Sequence, residues 1–259
     1  MSRIGIFDSG VGGLTVQREI LAALPSADTL YLGDTARLPY GTKSAETVTA
    51  YSLRSARFLA GHAIDLLVVA CNTASAVALP ALREALDVPV LGVVEPGARV
   101  AVERTRTGRI GVIGTQGTIS SGAYQAAIRA LRPDARVTAQ PCPLFVPLAE
   151  EGWTDPADEI VRGIVRRYLA PVVAAGVDTL VLGCTHYPLL KGAVAAELPG
   201  VALVDSAEAI AAEVRARLPA VDGRTGAHRF FVTDTPAKFL AVAGRFLGRP
   251  VDQAEHVDV

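Results

Sequence analysis

A chain of 259 residues can bury a substantial core and sits at the length where single cores tend to divide, so two domains are expected. Half of the residues are hydrophobic, a fifth are charged and the formal net charge is −1, which excludes the basic footprint of a nucleic-acid binder and gives an anionic membrane nothing to attract. Cys71, Cys142 and Cys184 are too few, and odd in number, for a disulfide framework. The opening Met1-Ser2-Arg3-Ile4 has no signal-peptide character and no apolar run reaches membrane-spanning length, so a cytoplasmic protein with reduced thiols is expected.

Short apolar runs alternate with segments of helical period, the pattern of a parallel sheet covered by helices. In chain order, strands are expected over residues 3–8, 29–33, 66–70, 90–93, 110–114, 179–183 and 202–205. Pro80 should break the helical segment that follows Cys71, and Pro171 should kink the last turns of a helix over 158–175 with Val161, Val165 and Tyr168 on one face. Ser206 is expected to cap a helix with the stripe Ile210, Val214 and Leu218. Thr235 before Pro236 starts another, with Phe239, Ala243 and Phe246 or Leu247 as its apolar face and Gly248 as its end.

The chain also repeats itself. "DLLVVACNTASA" (65–76) aligns with "DTLVLGCTHYPL" (178–189) at an offset of 113, which superposes Cys71 on Cys184, and "VPVLGVVEP" (88–96) aligns with "VALVDSAEA" (201–209) at the same offset. "IGIFDSGVGG" (4–13) aligns with "IGVIGTQGTI" (110–119) at an offset of 106. Three alignments in the same order imply two related α/β halves, each with a first strand ending in a small polar loop and a later strand ending in cysteine.

Ligands of open α/β sheets bind at the carboxyl ends of strands, where helix N-termini offer unpaired N–H groups. The unusual residues fall there. Asp8-Ser9-Gly10-Val11-Gly12-Gly13 lacks a Walker lysine and does not fit G-x-G-x-x-G, so a small carboxylate suits it better than a nucleotide phosphate; Gly114-Thr115-Gln116-Gly117-Thr118 is its equivalent. A single buried cysteine is usually an inert small hydrophobe, which remains the reading for Cys142. Cys71 and Cys184, at matched strand ends, are different. A disulfide would need Cα atoms within roughly 7 Å and an oxidising compartment. Zinc would want more ligands, and a single nucleophile leaves the second thiol unexplained. Inverting a stereocentre by proton transfer needs an acid on one face of the carbon and a base on the other, and two cysteines of adjustable pKa fit that requirement. Asp8 is placed to assist Cys71 and His186 to assist Cys184. Ser9, Asn72, Thr73, Thr115, Thr118 and Thr185, with backbone N–H groups, are expected to hold the substrate carboxylates and stabilise carbanion-like charge. A pyridoxal route needs a Schiff-base lysine, and Lys43, Lys191 and Lys238 are not at strand ends like the cysteines, so no cofactor and no metal are expected.

"GIFDSGVGGLTV", "YLGDTARLPYGTKS", "ACNTASA", "VIGT", "CPLFVPLAEEG" and "LGCTHYPLL", in this order from residue 4 to about 190, resemble the glutamate racemases of the aspartate/glutamate racemase superfamily, with a weaker echo in "HRFFVTDTPAKFLAVAGRFLG". The resemblance implies a cofactor-independent enzyme that interconverts L- and D-glutamate and supplies D-glutamate for peptidoglycan, hence a role in cell wall biogenesis and cell shape. Cys71 and Cys184 are then the proton-transfer residues and Asp8 and His186 their assistants. Asp8 and His186 also stand around the substrate with Ser9, Pro39, Tyr40, Gly41, Asn72, Thr73, Thr115, Thr118 and Thr185. Asp34 and Glu150 match acidic family positions; Glu150 is preferred over the adjacent Glu151 as a catalytic residue. The implied fold is two pseudo-symmetric α/β domains with mostly parallel sheets and the active site between them: residues 1–96 plus 210–259, and 97–209. The resemblance favours a homodimer over a monomer, with glutamate as small-molecule partner and neither nucleic acid nor membrane. An aspartate racemase or related isomerase of the same superfamily is the alternative. A decarboxylase would need only one cysteine, and a two-lobed amino-acid-binding module would need none.

Overall fold

The computed structural model describes residues 2–219 and 224–259. Its strands form two sheets in which every pairing is parallel. The first half runs β1 (Arg3–Asp8), α1 (Leu14–Ala23), β2 (Asp28–Gly33), α2 (Ala45–Ala60), β3 (Leu66–Val69), α3 (Asn72–Val77), α4 (Leu79–Ala85) and β4 (Val90–Gly92). The second runs α5 (Val94–Arg104), β5 (Arg109–Gly114), α6 (Gln116–Ser120), α7 (Ala123–Leu131), β6 (Arg136–Pro141), α8 (Phe145–Glu151), α9 (Glu159–Ala174), β7 (Thr179–Gly183), α10 (Lys191–Glu197) and β8 (Ala202–Asp205). The chain then forms α11 (Ser206–Arg217), β9 (His228–Val232), α12 (Pro236–Leu247) and β10 (Glu255–His256), the last two strands joining the first sheet.

The strand orders are β10-β9-β2-β1-β3-β4 and β6-β5-β7-β8. The internal repeat therefore has a spatial meaning: β2-β1-β3-β4 and β6-β5-β7-β8 are the same arrangement, with β1 over β5, β3 over β7 and β4 over β8. In both sheets the order reverses at the strand that opens the half, the place where neighbouring connections leave to opposite faces and open a crevice. Alternation along each strand feeds a core on both faces. Ile4 and Ile6 pack with Leu14, Ile20, Ile210, Val214 and Phe246, whereas Phe7 points the other way to Tyr40, Val48, Leu59 and Val69. The second sheet is covered likewise by Val161, Val165, Leu169 and Val194 on one face and by Ala98, Tyr124 and Ile128 on the other.

Several expected elements are shifted or were missed. The helix expected to be capped by Ser206 starts at Ser206 and is capped by Asp205, whose carboxylate accepts the Ala207 N–H at 2.8 Å; Leu218 lies just past its end. Thr235 precedes α12 without a side-chain capping bond, while Pro236 and the left-handed Gly248 bound the helix as expected. Pro80 opens α4 after a break at Ala78, and α9 runs through Pro171 to Ala174. β6, β9 and β10 are not among the expected strands, although Phe230-Phe231-Val232 of β9 is a short β-favouring run. β6 is a half-exposed edge strand of mixed polarity that ends in proline, and β10 has two residues, so neither offers an apolar run.

Candidate active site

Six strand ends converge on one cavity of about 210 Å³. Ser9 and Gly10 reach it after β1, Leu38-Pro39-Tyr40-Gly41 after β2 and Cys71-Asn72-Thr73 after β3; Thr115 comes after β5, Val146, Pro147 and Glu150 from α8 after β6, and Cys184-Thr185-His186 after β7. The volume is below that of drug-sized pockets and suits a small metabolite. Among the described residues that line it there is no lysine or arginine, so an anionic ligand would be held by hydroxyls, amides and N–H groups at helix starts.

Cys71 is the N-cap of α3 and its thiol donates to Ser9 Oγ at 3.6 Å. Burial pushes this thiol up to about 12, and the charge of Asp8 adds to the effect. These surroundings tune Cys71 upwards, in favour of the thiol form. Asp8 does not line the cavity, which corrects its place among the residues around the substrate. It is fully buried behind the β1 loop, Oδ2 accepts the Gly10 N–H at 2.9 Å, and among the described residues Oδ1 has no partner within hydrogen-bonding geometry. Burial raises its own pKa, opposed by His186.

On the other face, His186 Nδ1 lies 3.9 Å from Cys184 Sγ and 3.3 Å from Thr185 Oγ1, while Nε2 is 2.9 Å from Glu150 Oε1. Burial pulls the imidazole pKa down, but the contacts with Cys184 and Glu150 outweigh it and hold it up at about 10. It is Glu150, rather than Glu151, that meets His186. The imidazole also stacks edge-on against Phe246 at 5.1 Å between ring centroids.

Gly12 makes this approach feasible, because a methyl group there would overlap both Thr185 Oγ1 and the His186 ring. Gly12→Ala is expected to destabilise the protein by about 1–3 kcal/mol through overpacking and to lower activity by displacing the imidazole. A denaturation midpoint and activity equal to those of the parent would refute this.

Thr73, Thr115 and Thr118 form a triangle of hydroxyls with edges of 2.9, 3.1 and 3.0 Å, which joins the two halves across the crevice; Thr118 stands behind the cavity wall. Pro39, Tyr40 and Gly41 lie on a loop with a cis Leu38–Pro39 bond. Asp34 is buried beneath that loop, accepting from Arg37 at 3.0 Å, from Thr233 at 2.8 Å and from the Tyr40 hydroxyl. Its role is to tie down the loop. Cys142 is away from the cavity, its thiol donating to Gln140 O at 3.6 Å. All three cysteines are free.

Gly10, Leu38, Val146 and Pro147 also line the cavity; all four lie inside the motifs quoted above, though none was named there as a site residue. Tyr124 and Ser206 were also missed. Tyr124 donates to Asn72 Oδ1 at 2.7 Å, and Asn72 Nδ2 donates to Ser206 Oγ at 3.5 Å. No local pattern marks residues whose partners lie so far along the chain.

Residues 13–214 match the family model described as Asp/Glu/Hydantoin racemase. A glutamate racemase from Geobacter metallireducens is 59% identical over 251 residues, covering 95% of this chain and 92% of the relative. Among solved structures, a glutamate racemase isoform from Bacillus anthracis has a TM-score of 0.93 at 42% identity, covering 100% of this chain and 98% of its own. A glutamate racemase from Francisella tularensis, solved in complex with D-glutamate, has a TM-score of 0.92 at 35% identity and covers 99% of this chain and 97% of its own. The chain belongs to the Asp/Glu racemase family and, within it, to the glutamate racemases, so it is an amino-acid racemase.

Proposed function

We propose that this racemase interconverts L- and D-glutamate without a cofactor, with Cys71 and Cys184 as the two proton-transfer groups. The observation that carries the reading is that both thiols line one small cavity from matched strand ends of the two sheets. One sulfur, as thiolate, takes the α-proton while the other, as thiol, delivers a proton to the opposite face; the reverse reaction exchanges the roles. In the resting chain Cys71 supplies the acid. The cationic His186 stands next to Cys184, where the sulfur carries negative charge in one half of the cycle. The threonine hydroxyls, Asn72 and the first N–H groups of α3 hold the carboxylates and oppose the charge that develops at the α-carbon. General acid–base catalysis typically supplies about 10²–10⁴-fold, so this electrostatic share is required.

The same proposal places the crossings between halves near 96–97 and near 208–211. Ala98 and Ala101 pack with β5 residues and Ile210 and Val214 with β1 residues, which supports two crossings in these regions, while Val94 and Ala207 already pack with the second and the first core and favour changes a few residues earlier. No described helix is long and apolar enough to cross a membrane. A cytoplasmic enzyme that provides D-glutamate for peptidoglycan, and so supports wall formation and cell shape, completes the proposal. Complementation of a bacterial strain unable to make D-glutamate tests that role.

Incubation with L-glutamate in deuterium oxide, without added cofactor, should yield D-glutamate carrying deuterium at the α-carbon. Turnover of aspartate with no exchange into glutamate would replace this reading by that of an aspartate racemase.

A further inference from the structure

One buried side chain touches the neighbours of both cysteines. Tyr124 lies at the start of α7, fully buried, in a slot between two glycines. A Cβ on Gly183, the residue before Cys184, would stand 3.1 Å from its ring, and a Cβ on Gly97 would stand 3.3 Å from the ring and from the hydroxyl. Its hydroxyl crosses to the other half and donates to Oδ1 of Asn72, the residue after Cys71, at 2.7 Å. Asn72 Nδ2 faces Ser206 Oγ, whose hydroxyl in turn donates to the Leu182 carbonyl of β7 at 3.2 Å.

This chain fixes the direction of the Asn72 carboxamide. The Ser206 hydroxyl gives its one proton to the Leu182 carbonyl and so faces Asn72 as an acceptor, which turns Nδ2 towards Ser206 and leaves Oδ1 to accept from the Tyr124 hydroxyl, a phenol that burial keeps protonated. With one N–H on Ser206, Asn72 has a second amide N–H to offer a carboxylate bound in the cavity that it lines. An inverted amide would present an oxygen to an anionic ligand in a cavity without lysine or arginine.

We infer that Tyr124 is a positioning residue for substrate binding: it orients Asn72 as a carboxylate donor and, by packing on Gly183, holds the Cys71 and Cys184 sides of the crevice in register. The inference rests on the proposed glutamate site, although its readout is binding and does not depend on which groups move the proton.

Tyr124→Phe removes only the hydroxyl. The expected result is a rise of roughly tenfold or more in KM for both enantiomers, and in the Kd for D-glutamate by calorimetry, with kcat changed much less. Asn72→Ala should show a similar rise, and the double variant should rise no further, because Tyr124 acts through Asn72. An unchanged KM in Tyr124→Phe, or additive effects in the double variant, would overturn the inference. If Tyr124→Phe does not fold, Ser206→Ala removes the opposite anchor of the same amide, and an unchanged KM there would overturn it equally. Should the cysteine variants disprove two-cysteine transfer, weakened D-glutamate binding in Tyr124→Phe would still support the role of Tyr124.

Discussion

Cys71→Ser and Cys184→Ser are each expected to lower racemisation by about 10³-fold or more, whereas Cys142→Ser should keep the parental rate. The two variants remove one acid–base group each from opposite walls of the same cavity, and a serine hydroxyl is too weak an acid to replace a thiol in both protonation states. Cys142 is equally buried but does not reach the cavity, so it controls for the loss of a buried sulfur. Rates should be measured in both directions by circular dichroism, because the two end states are enantiomers of equal free energy and opposite dichroism and each cysteine serves as acid in one direction and base in the other. Parental activity in either Cys71→Ser or Cys184→Ser would remove the two-base mechanism.

Glu150→Gln is the second large expected effect, and it concerns pH. His186 has its pKa raised from 6.5 to about 10 by Cys184 and Glu150 acting against burial. In the parent the imidazolium proton is therefore lost only as pH climbs through about 10, and activity that needs this cation should fall there. Replacing the carboxylate by an amide removes one of the two supports and shifts the alkaline limb of kcat/KM downwards by roughly 1 unit. This is the low end of the usual range for an opposite charge, since the Glu150 side chain is 40% exposed and water screens it. Stability follows the same sign. A group whose pKa is raised on folding contributes fully below its unfolded value of 6.5, and that contribution is lost as pH rises through about 10. Glu150→Gln should narrow the stability difference between neutral and alkaline solution. An alkaline limb that does not move would show that His186 takes no part in activity.

The two walls of the site are thus equivalent in their thiols and unequal in their surroundings. Thr73 takes the place of His186 in the repeat, and instead of pairing with a carboxylate it joins Thr115 and Thr118 of the opposite half. On the Cys71 wall burial, with a smaller contribution from the Asp8 carboxyl behind it, raises the thiol pKa, and the Cys184 wall carries an imidazole supported by Glu150 from α8. Under the proposed mechanism a substrate entering this cavity meets an acid on one side and a positively charged partner of the other sulfur on the opposite side.

Much of this was legible in the sequence because it is local or periodic. Strands such as Arg3–Asp8 and Thr179–Gly183 are apolar runs bounded by glycine and polar loops, and the repeat by itself puts Cys71 and Cys184 at matched strand ends. Alternation and turn chemistry act over a few residues, so a linear chain records them. The tertiary structure alone decided which side chains meet across the crevice. It put Asp8 behind the wall instead of in it, aimed Glu150 at His186, and brought Tyr124 to Asn72, 52 positions away in the chain. It also pushed the Cys71 thiol upwards, because a pKa depends on burial and on charges in space. Residue type and spacing determine which groups can carry the chemistry; packing of the two sheets determines their protonation state and what each of them faces.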